Sequence, residues 1–323
     1  MRNPKIATLS KGETFVRRHY GRSAVTDTFA SVIRAYINSP NFNRLADSTK
    51  GVYRVYLTRA EMILGDLPLG VIRPFLVQQC LDALADRPGA QMGMRVVLKA
   101  IERFALPRDL LQNPITLGTE VVGSDGGHKP WSEDQVQCAE RFAAPHIAKI
   151  ITLASNTGQR GSDLCRMRWS DIETIDGRPG IHVKQRKTGL QIWIPFTSTL
   201  MHAIATWQRG PTHILLQPSG LPYGNRLSLS KAWERERNKN PNLASCAGMV
   251  LHGLRATAVI RLRRAGATTP QIVDMIGLSA EMVERYSRFA DQKISALAAV
   301  IKLDRTGIEQ ERQIMPRDPK INT

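Results

Sequence analysis

Hydrophobic positions in the first third of the chain recur at helical spacing. Phe29, Val32, Ile33 and Tyr36 follow an i, i+3, i+4, i+7 pattern, which predicts an amphipathic helix with one apolar face. Similar patterns predict three further helices: one that follows the cap residues Ser48 and Thr49, one over 74–84 and one over 91–104. This part of the chain is therefore expected to form a small all-helical domain.

A connector rich in glycine separates this helical region from the rest of the chain. Four glycines lie within residues 116–130, a composition typical of a flexible linker. Just beyond it, Ser132 stands three residues before Gln135, which is the spacing of a capping box at the start of a helix. A second domain is therefore expected to begin there.

The pattern beyond the connector combines helices with a few short strands. Three strands are expected over 171–175, 181–185 and 191–195, joined by turns at Asp176-Gly177 and Thr188-Gly189. Helices are expected over 147–156, 200–208, 229–237, 252–264, 270–276, 281–289 and 294–303. The chain is thus predicted to be mainly α with one small antiparallel β-sheet.

The length of 323 residues also favours two domains, because single cores rarely grow beyond about 250–300 residues. Together with the patterns above, this predicts five segments. They are a basic N-terminal arm over 1–24, a helical domain over 25–115, a linker over 116–130, a second domain over 131–310 and a polar tail over 311–323.

The net charge of +17 indicates a polyanionic partner. Residues 1–115 hold 17 basic and nine acidic side chains, which leaves 28 basic and 19 acidic side chains in the remainder. Because both predicted domains are basic, an extended polyanion such as nucleic acid fits better than a single charged patch. The simpler alternative is a generic basic surface that keeps the protein soluble.

Several other classes of protein are not expected. No stretch approaches the ~20 apolar residues of a membrane span, and the start of the chain lacks the apolar region of a signal peptide, so we expect a cytoplasmic protein without membrane contact. The four cysteines form no CxxC pair, and the histidines form no HExxH motif. Neither a metal nor another cofactor is therefore expected, and any phosphoryl chemistry is expected to proceed without metal.

Two of the candidate chemical groups come before the middle of the second domain. Arg160 follows a turn, and Asp163 lies one helical turn later, where it is expected to orient the guanidinium. Lys187 is expected at the tip of the hairpin, from which an ammonium group can donate a proton to a leaving oxygen. Taken singly, a surface Arg–Asp pair and a solvated turn lysine are the more common interpretations.

The other candidates lie near the end of the second domain. His252 and Arg255 are three residues apart and share one helix face, where a guanidinium matches two phosphate oxygens and an imidazole moves a proton. Tyr286 is a nucleophile only if a base and nearby cations lower the free energy of its ionisation. An ordinary packed tyrosine is the simpler interpretation of that residue alone.

The order of these groups resembles the tyrosine recombinase (phage integrase) family. An arginine in a TGxR string with an acidic residue three later, a KTG string in a hairpin, HGLR and a late MVERY string occur here in that family's order. The resemblance covers the chain beyond the basic arm. It implies a helical core-DNA-binding (SAM-like) domain over 25–115 and a tyrosine-recombinase catalytic domain over 131–310.

The resemblance also implies a role for each candidate. Tyr286 attacks a DNA phosphate and forms a 3′-phosphotyrosine, while Arg160 and Arg255 hold the non-bridging oxygens. Lys187 protonates the departing 5′ oxygen, and His252 assists proton transfer at the tyrosine. Because the covalent bond conserves the phosphodiester energy, neither ATP nor metal is required. The implied partners are double-stranded DNA and three further copies of the chain, as a homotetramer on two DNA sites, with accessory DNA-bending or directionality proteins as further candidates.

One position departs from the family pattern. The family usually carries a second histidine, or a tryptophan, about nine residues before the tyrosine, whereas here the turn reads Gly277-Leu278-Ser279. Either the turn is one residue short or Leu278 replaces the histidine. Three interpretations therefore stay open: an active or weakened recombinase, a non-catalytic DNA-binding relative with a helix-turn-helix over 256–276, and a type IB-like topoisomerase.

Overall fold

The computed structural model describes residues 28–123 and 128–287, and, beyond them, residues 296, 299–301 and 303–304. The chain divides into two compact units, one that ends at Gly127 and one that begins at His128. The predicted arm over 1–24 and the polar tail over 311–323 lie outside the described residues, and so does most of the predicted helix over 294–303.

The described part of the first unit is a cluster of five helices. Their bounds are α1 Phe29–Ile37, α2 Pro40–Asn43, α3 Asp47–Leu64, α4 Pro74–Asp82 and α5 Pro88–Ala105. The predicted apolar face of α1 is buried, with Phe29, Val32, Ile33 and Tyr36 all in one core together with side chains of α3 and α5. All four helices expected from the sequence are present in this unit.

The start of α3 differs from the expectation. The helix begins at Asp47 after Ala46, which makes no side-chain cap, so Ser48 and Thr49 lie inside the first turn and do not cap it. Asp47 places a negative charge at the positive end of the helix dipole and also pairs with Lys50 at 3.4 Å. The negative charge of Asp47, and not a hydroxyl cap, therefore stabilises the start of this helix.

A buried carboxylate fixes the end of the helical unit. Glu102 of α5 accepts hydrogen bonds from the backbone N–H and the hydroxyl of Thr116 at 2.6 and 2.7 Å, and it pairs with Lys99 at 2.5 Å. Burial by itself raises the pKa of Glu102, but the hydrogen bonds from Lys99 and Thr116 outweigh it and hold this pKa below its ordinary value. The start of the connector is thus tied to the core of the first unit.

The second unit contains eight helices in its described part and one sheet. The helices are α6 Glu133–Phe142, α7 Pro145–Thr157, α8 Gly161–Leu164, α9 Ser198–Thr206, α10 Arg226–Lys239, α11 Gly253–Arg264, α12 Thr269–Ile276 and α13 Ala280–Ser287. The strands are β1 Ile172–Ile175, β2 Arg178–Lys184 and β3 Gln191–Pro195. The predicted fold class, mainly α with a small antiparallel sheet, is confirmed.

The sheet has the simple order β1-β2-β3, with antiparallel neighbours throughout. Ile181 of β2 faces Ile172 on one side and Ile194 on the other. Asp176 and Gly177 both have positive φ, 51° and 75°, which suits the tight turn between β1 and β2. The predicted strands and their turn therefore agree with the structure.

Helix α7 forms the centre of the second unit. Ile147, Ile150, Ile151 and Leu153 are all fully buried, because α6, α10, α11 and other elements cover the helix on several sides. The predicted capping box before α6 is present, since Ser132 and Gln135 exchange hydrogen bonds. Among the described residues, every helix is too short or too polar to cross a lipid bilayer.

Candidate active site

Arg160 lies in the short segment between α7 and α8, and it is half-buried. Helix α7 ends at Gly158, whose φ of +62° turns the chain back over the unit. A Cβ on Gly158 would lie 3.1 Å from Ala258 and Ile276, so glycine also allows a close approach there. The Arg160 guanidinium donates a hydrogen bond to Oε1 of Gln185 at 3.0 Å.

Arg255 lies in the first turn of α11 and is only 2% exposed. Its guanidinium donates to the carbonyl oxygens of Gly158 at 2.5 Å and of Gly277 at 3.5 Å, which are the ends of α7 and α12. Burial and the neighbouring charge of Arg160 lower the pKa of Arg255 to about 10, against an opposing effect of Tyr286. The two arginines are therefore close enough for their charges to repel each other.

His252 directly precedes α11 and is half-buried. Burial, followed by the effects of His128 and Arg255, lowers the pKa of His252 to about 4, so the imidazole is neutral at pH 7. The ring of His128 lies edge-on to it, with 5.1 Å between the centroids. A Cβ on Gly253 would collide with the carbonyl oxygen of Lys129, so this glycine lets the segment that carries His128 pass beside His252.

Tyr286 lies on α13 and is 7% exposed. Its side chain belongs to an apolar cluster of α11, α12 and α13 that includes Val259, Ile276 and Val283. The tyrosine is near enough to Arg255 to raise the pKa of that guanidinium. The described structure therefore brings Tyr286 to Arg255, as the sequence motifs require, and it packs the ring against hydrophobic neighbours.

Leu278 lies in the turn where the family usually carries its second histidine. Gly277 ends α12 with φ of +70°, and Leu278 turns inward, 7% exposed, into the same apolar cluster as Tyr286. Ser279 follows on the surface, and its hydroxyl accepts a hydrogen bond from the N–H of Met282 at 3.4 Å. The short turn is thus a packed connection between α12 and α13.

Lys187 lies in the turn between β2 and β3 and is exposed. In the part of the chain that the structure describes, no hydrogen bond or ion pair holds its ammonium group. The turn itself is well bonded, because the N–H of Gln185 donates to Leu190 O and the N–H of Gly189 donates to Gln185 O, both at 2.8 Å. The lysine therefore projects from a fixed turn and is itself unrestrained by described neighbours.

Asp163 has a different partner from the one expected. Its Oδ1 accepts the backbone N–H of Arg186 at 2.9 Å, and among the described residues no hydrogen bond joins its carboxylate to the Arg160 guanidinium. Its Oδ2 is buried without a described partner. Asp163 therefore anchors the base of the hairpin turn, while Gln185 takes over the orientation of Arg160.

Gln185 and Gln159 were missed by the sequence reasoning. Gln185 is 0% exposed, and its Nε2 donates to Gln159 Oε1 at 2.9 Å and to Ile276 O at 2.8 Å. Gln159 Nε2 also donates to Ile276 O, at 3.0 Å. The only signal in the sequence was adjacency, since Gln159 precedes Arg160 and Gln185 stands two residues before Lys187.

These groups form a site suited to a phosphodiester. Two guanidinium groups offer paired N–H donors to non-bridging oxygens, a neutral imidazole is available to accept a proton, and a tyrosine lies beside them. Within the described residues, no group of three or more His, Cys, Asp or Glu side chains is arranged to hold a metal ion.

This chain is similar to known proteins in sequence and in fold. A model of the phage integrase family matches residues 133–293. The integrase of Escherichia phage HK022 is 52% identical over 50 residues, which are 16% of this chain and 13% of that protein. The integrase of Escherichia phage lambda is 53% identical over 45 residues, 14% of this chain and 12% of that protein. The chain therefore matches only a small part of the length of these curated relatives.

Solved structures extend the similarity over most of the chain. A crystal structure of a lambda integrase dimer bound to a COC′ core site has a TM-score of 0.66 and 22% identity, and the match covers 79% of this chain and 97% of that one. The Tn1549 transposon integrase in complex with a circular intermediate DNA has a TM-score of 0.64 and 16% identity, over 85% of this chain and 99% of that one.

The chain thus has the fold of the lambda integrase structures, and Arg160, Arg255 and Tyr286 lie near one another in its second unit. Residues 133–293, most of that second unit, belong to the phage integrase family.

Proposed function

We propose that this protein is a site-specific DNA recombinase that cuts and rejoins DNA through a 3′-phosphotyrosine. The observation that carries the proposal is the position of Arg255, which bonds to Gly158 O two residues before Arg160, on a helix whose apolar side chains pack in one cluster with Tyr286. A tyrosine beside two phosphate-binding guanidinium groups is the arrangement that nucleophilic attack on a phosphodiester requires.

In the proposed reaction, Oη of Tyr286 bonds to the scissile phosphorus and the bond from phosphorus to the 5′ oxygen breaks. Arg160 and Arg255 stabilise the charge that builds on the non-bridging oxygens. His252, which is neutral at pH 7, accepts the tyrosine proton, and Lys187 donates a proton to the 5′ oxygen. Attack by a 5′-hydroxyl from a partner strand then reverses the step, so neither ATP nor a metal ion is consumed or needed.

Double-stranded DNA is the proposed partner of both units. The first unit, over about residues 25–115, is proposed to bind the core site, and the second to bind and cleave it; the net charge of +17 supports contacts over an extended polyanion. Lambda integrase has been solved as a tetramer bound to a Holliday junction, which supports a homotetramer here. Accessory DNA-bending or directionality proteins and a cytoplasmic location complete the proposal.

A purely DNA-binding role for α11 and α12 is less well supported. As a helix-turn-helix, this pair would need Arg261 and Arg263 free for phosphates. Instead Arg261 binds both oxygens of Glu133, at 3.1 Å or less, and Arg263 is paired with Glu284. A topoisomerase shares the proposed chemistry, and relaxation of a plasmid that lacks the target site would favour it.

The decisive experiment is Tyr286→Phe on a nicked suicide substrate that carries the target site. The variant is expected to form no covalent protein–DNA adduct on a denaturing gel, because only the tyrosine oxygen is removed. DNA binding in a gel-shift assay should change little, since it depends on dispersed Lys and Arg contacts.

Tyr223→Phe is the matched control. Tyr223 is equally buried, and its hydroxyl has no hydrogen-bond partner in the described structure. This variant should form the adduct at the wild-type rate. An adduct that persists in Tyr286→Phe would exclude Tyr286 as the nucleophile.

A further inference from the structure

The buried side chain of Gln185 touches three parts of the site. It directly follows β2 and is 0% exposed. Its Oε1 accepts hydrogen bonds from Arg160 Nη1 and Thr188 Oγ1, both at 3.0 Å. Its Nε2 donates to Gln159 Oε1 at 2.9 Å and to Ile276 O at 2.8 Å.

These contacts use the full hydrogen-bonding capacity of the amide. A glutamine side chain has two donor and two acceptor sites, and here all four are occupied, so the orientation of the amide is fixed. The main chain of Gln185 also closes the turn that carries Lys187, through bonds to Gly189 and Leu190. One residue therefore sets the geometry of both a guanidinium and a turn.

The end of α12 is fitted to the same side chain. A Cβ on Gly277 would lie 2.5 Å from Gln185 Nε2, so the helix end approaches the amide as closely as a glycine permits. Gly277 O in turn faces the Arg255 guanidinium at 3.5 Å. The contacts of Gln185 thus reach the helix end that supports the second arginine.

We propose that Gln185 is a positioning residue that holds Arg160 and the Lys187 turn in one register against the end of α12. This inference rests on the proposed function, since it assigns Gln185 a role in the same cleavage step. Gln185 does not bond to the scissile phosphate; it acts through Arg160 and through the turn. Misplacement of reacting groups by about 1 Å lowers rates about 10²-fold.

The test is Gln185→Met, which fills the same space with an unbranched side chain and removes every amide hydrogen bond. At saturating protein, single-turnover cleavage should fall about 10²-fold relative to wild type. Gln91→Met is the matched control, because Gln91 is equally buried and bonds to Leu81 O at 3.2 Å and to the N–H of Val122 at 2.6 Å, in the first unit. At saturating protein its cleavage rate should be that of wild type.

A substrate with sulfur at the 5′ bridging position separates positioning from a merely structural loss. The Lys187→Ala variant is expected to cleave the oxygen substrate roughly 10²–10⁴-fold more slowly than wild type. Because sulfur leaves without protonation, this variant should cleave the sulfur substrate at nearly the wild-type rate. For Gln185→Met the ratio of wild-type to variant rate should fall on the sulfur substrate and stay above one. The part of the rate loss that the sulfur substrate removes is due to the misplaced Lys187 turn. The part that remains on the sulfur substrate is due to the misplaced Arg160.

The outcomes are distinct. A Gln185→Met rate equal to that of Gln91→Met, or a wild-type-to-variant ratio that is the same on oxygen and sulfur, overturns the inference. If Gln185→Met is unfolded by circular dichroism, Thr188→Val decides, because this exposed substitution removes one bond to Gln185 and should give roughly a 3- to 10-fold loss that sulfur restores. No loss there also overturns it. Absence of any adduct with wild-type protein instead contradicts the proposed function itself.

Discussion

Insertion of a histidine between Gly277 and Leu278 is expected to slow DNA cleavage, although it restores the family's spacing to Tyr286. Leu278 is buried in the apolar cluster that holds Tyr286, and only Leu278 and Ser279 separate the Gly277 cap from α13. One added residue shifts the chain by about 3.8 Å, enough to expel the leucine. Exposing it costs about 2 kcal/mol.

The imidazole offers a compensating gain only if its geometry is fixed. A preorganised donor to a developing charge contributes about 2.7–4 kcal/mol. Here the space next to Tyr286 is already occupied by leucine, so the new side chain has no support and the gain is mostly lost. If the packed form of the turn is the one that cleaves DNA, a cost of about 2 kcal/mol for reaching it makes cleavage roughly 30-fold slower.

The assay is single-turnover cleavage of the nicked suicide substrate, with thermal melting measured in parallel. An alanine inserted at the same point is the matched control, because it adds the residue without the imidazole. Both insertions should be slow, and by similar factors. Cleavage by the histidine insertion faster than wild type, in a protein that melts normally, would refute the view that Leu278 is an adapted part of the turn.

Two further predictions concern ionisable groups. In the free protein the His252 ring should titrate near pH 4 by NMR, because it is buried and lies near cations. Its pKa should rise when DNA supplies a phosphate. A titration midpoint above pH 6 without DNA would contradict the described burial. Glu102→Gln should destabilise the first unit by roughly 1–3 kcal/mol at pH 7. Since the folded pKa of Glu102 is lowered, this difference should be complete above its ordinary value of 4.5 and shrink as the pH falls through the folded pKa. Denaturant unfolding followed by circular dichroism should show a lower midpoint for the variant. The midpoint followed by tryptophan emission should change less, because all five tryptophans lie in the second unit. An equal change by both methods would contradict an effect local to the first unit.

Local signals in the sequence predicted most of the fold. The spacing of Phe29 to Tyr36 gave α1, and Ser132 with Gln135 gave the start of α6, because both depend on neighbours within one or two turns. The Asp176-Gly177 pair gave the turn between β1 and β2 for the same reason. The cap of α3 was wrong because a serine, a threonine and an aspartate compete at that start, and their order alone does not decide which residue begins the helix.

The sequence motifs named candidate residues one by one, but they did not show the hydrogen bonds between them. Gln185 binds a carbonyl oxygen 91 positions later in the chain, and main-chain acceptors leave no mark on the sequence. Asp163 was expected to orient the Arg160 guanidinium from their spacing alone, yet its carboxylate accepts the backbone N–H of Arg186. Lys187 was expected at a hairpin turn, and it lies there.

The acceptors that hold Arg255 are carbonyl oxygens at the ends of two helices, and not side chains. Substitution elsewhere in α7 or α12 therefore leaves these acceptors chemically unchanged, while any shift of either helix along its axis moves the guanidinium directly. Substitutions should be rare at Gly158 and Gly277, because their positive φ and close contacts favour glycine. They should be more frequent at the exposed positions between these two residues. In a mutational scan, Gly158 and Gly277 should therefore tolerate substitution poorly, because they shape the pocket of Arg255.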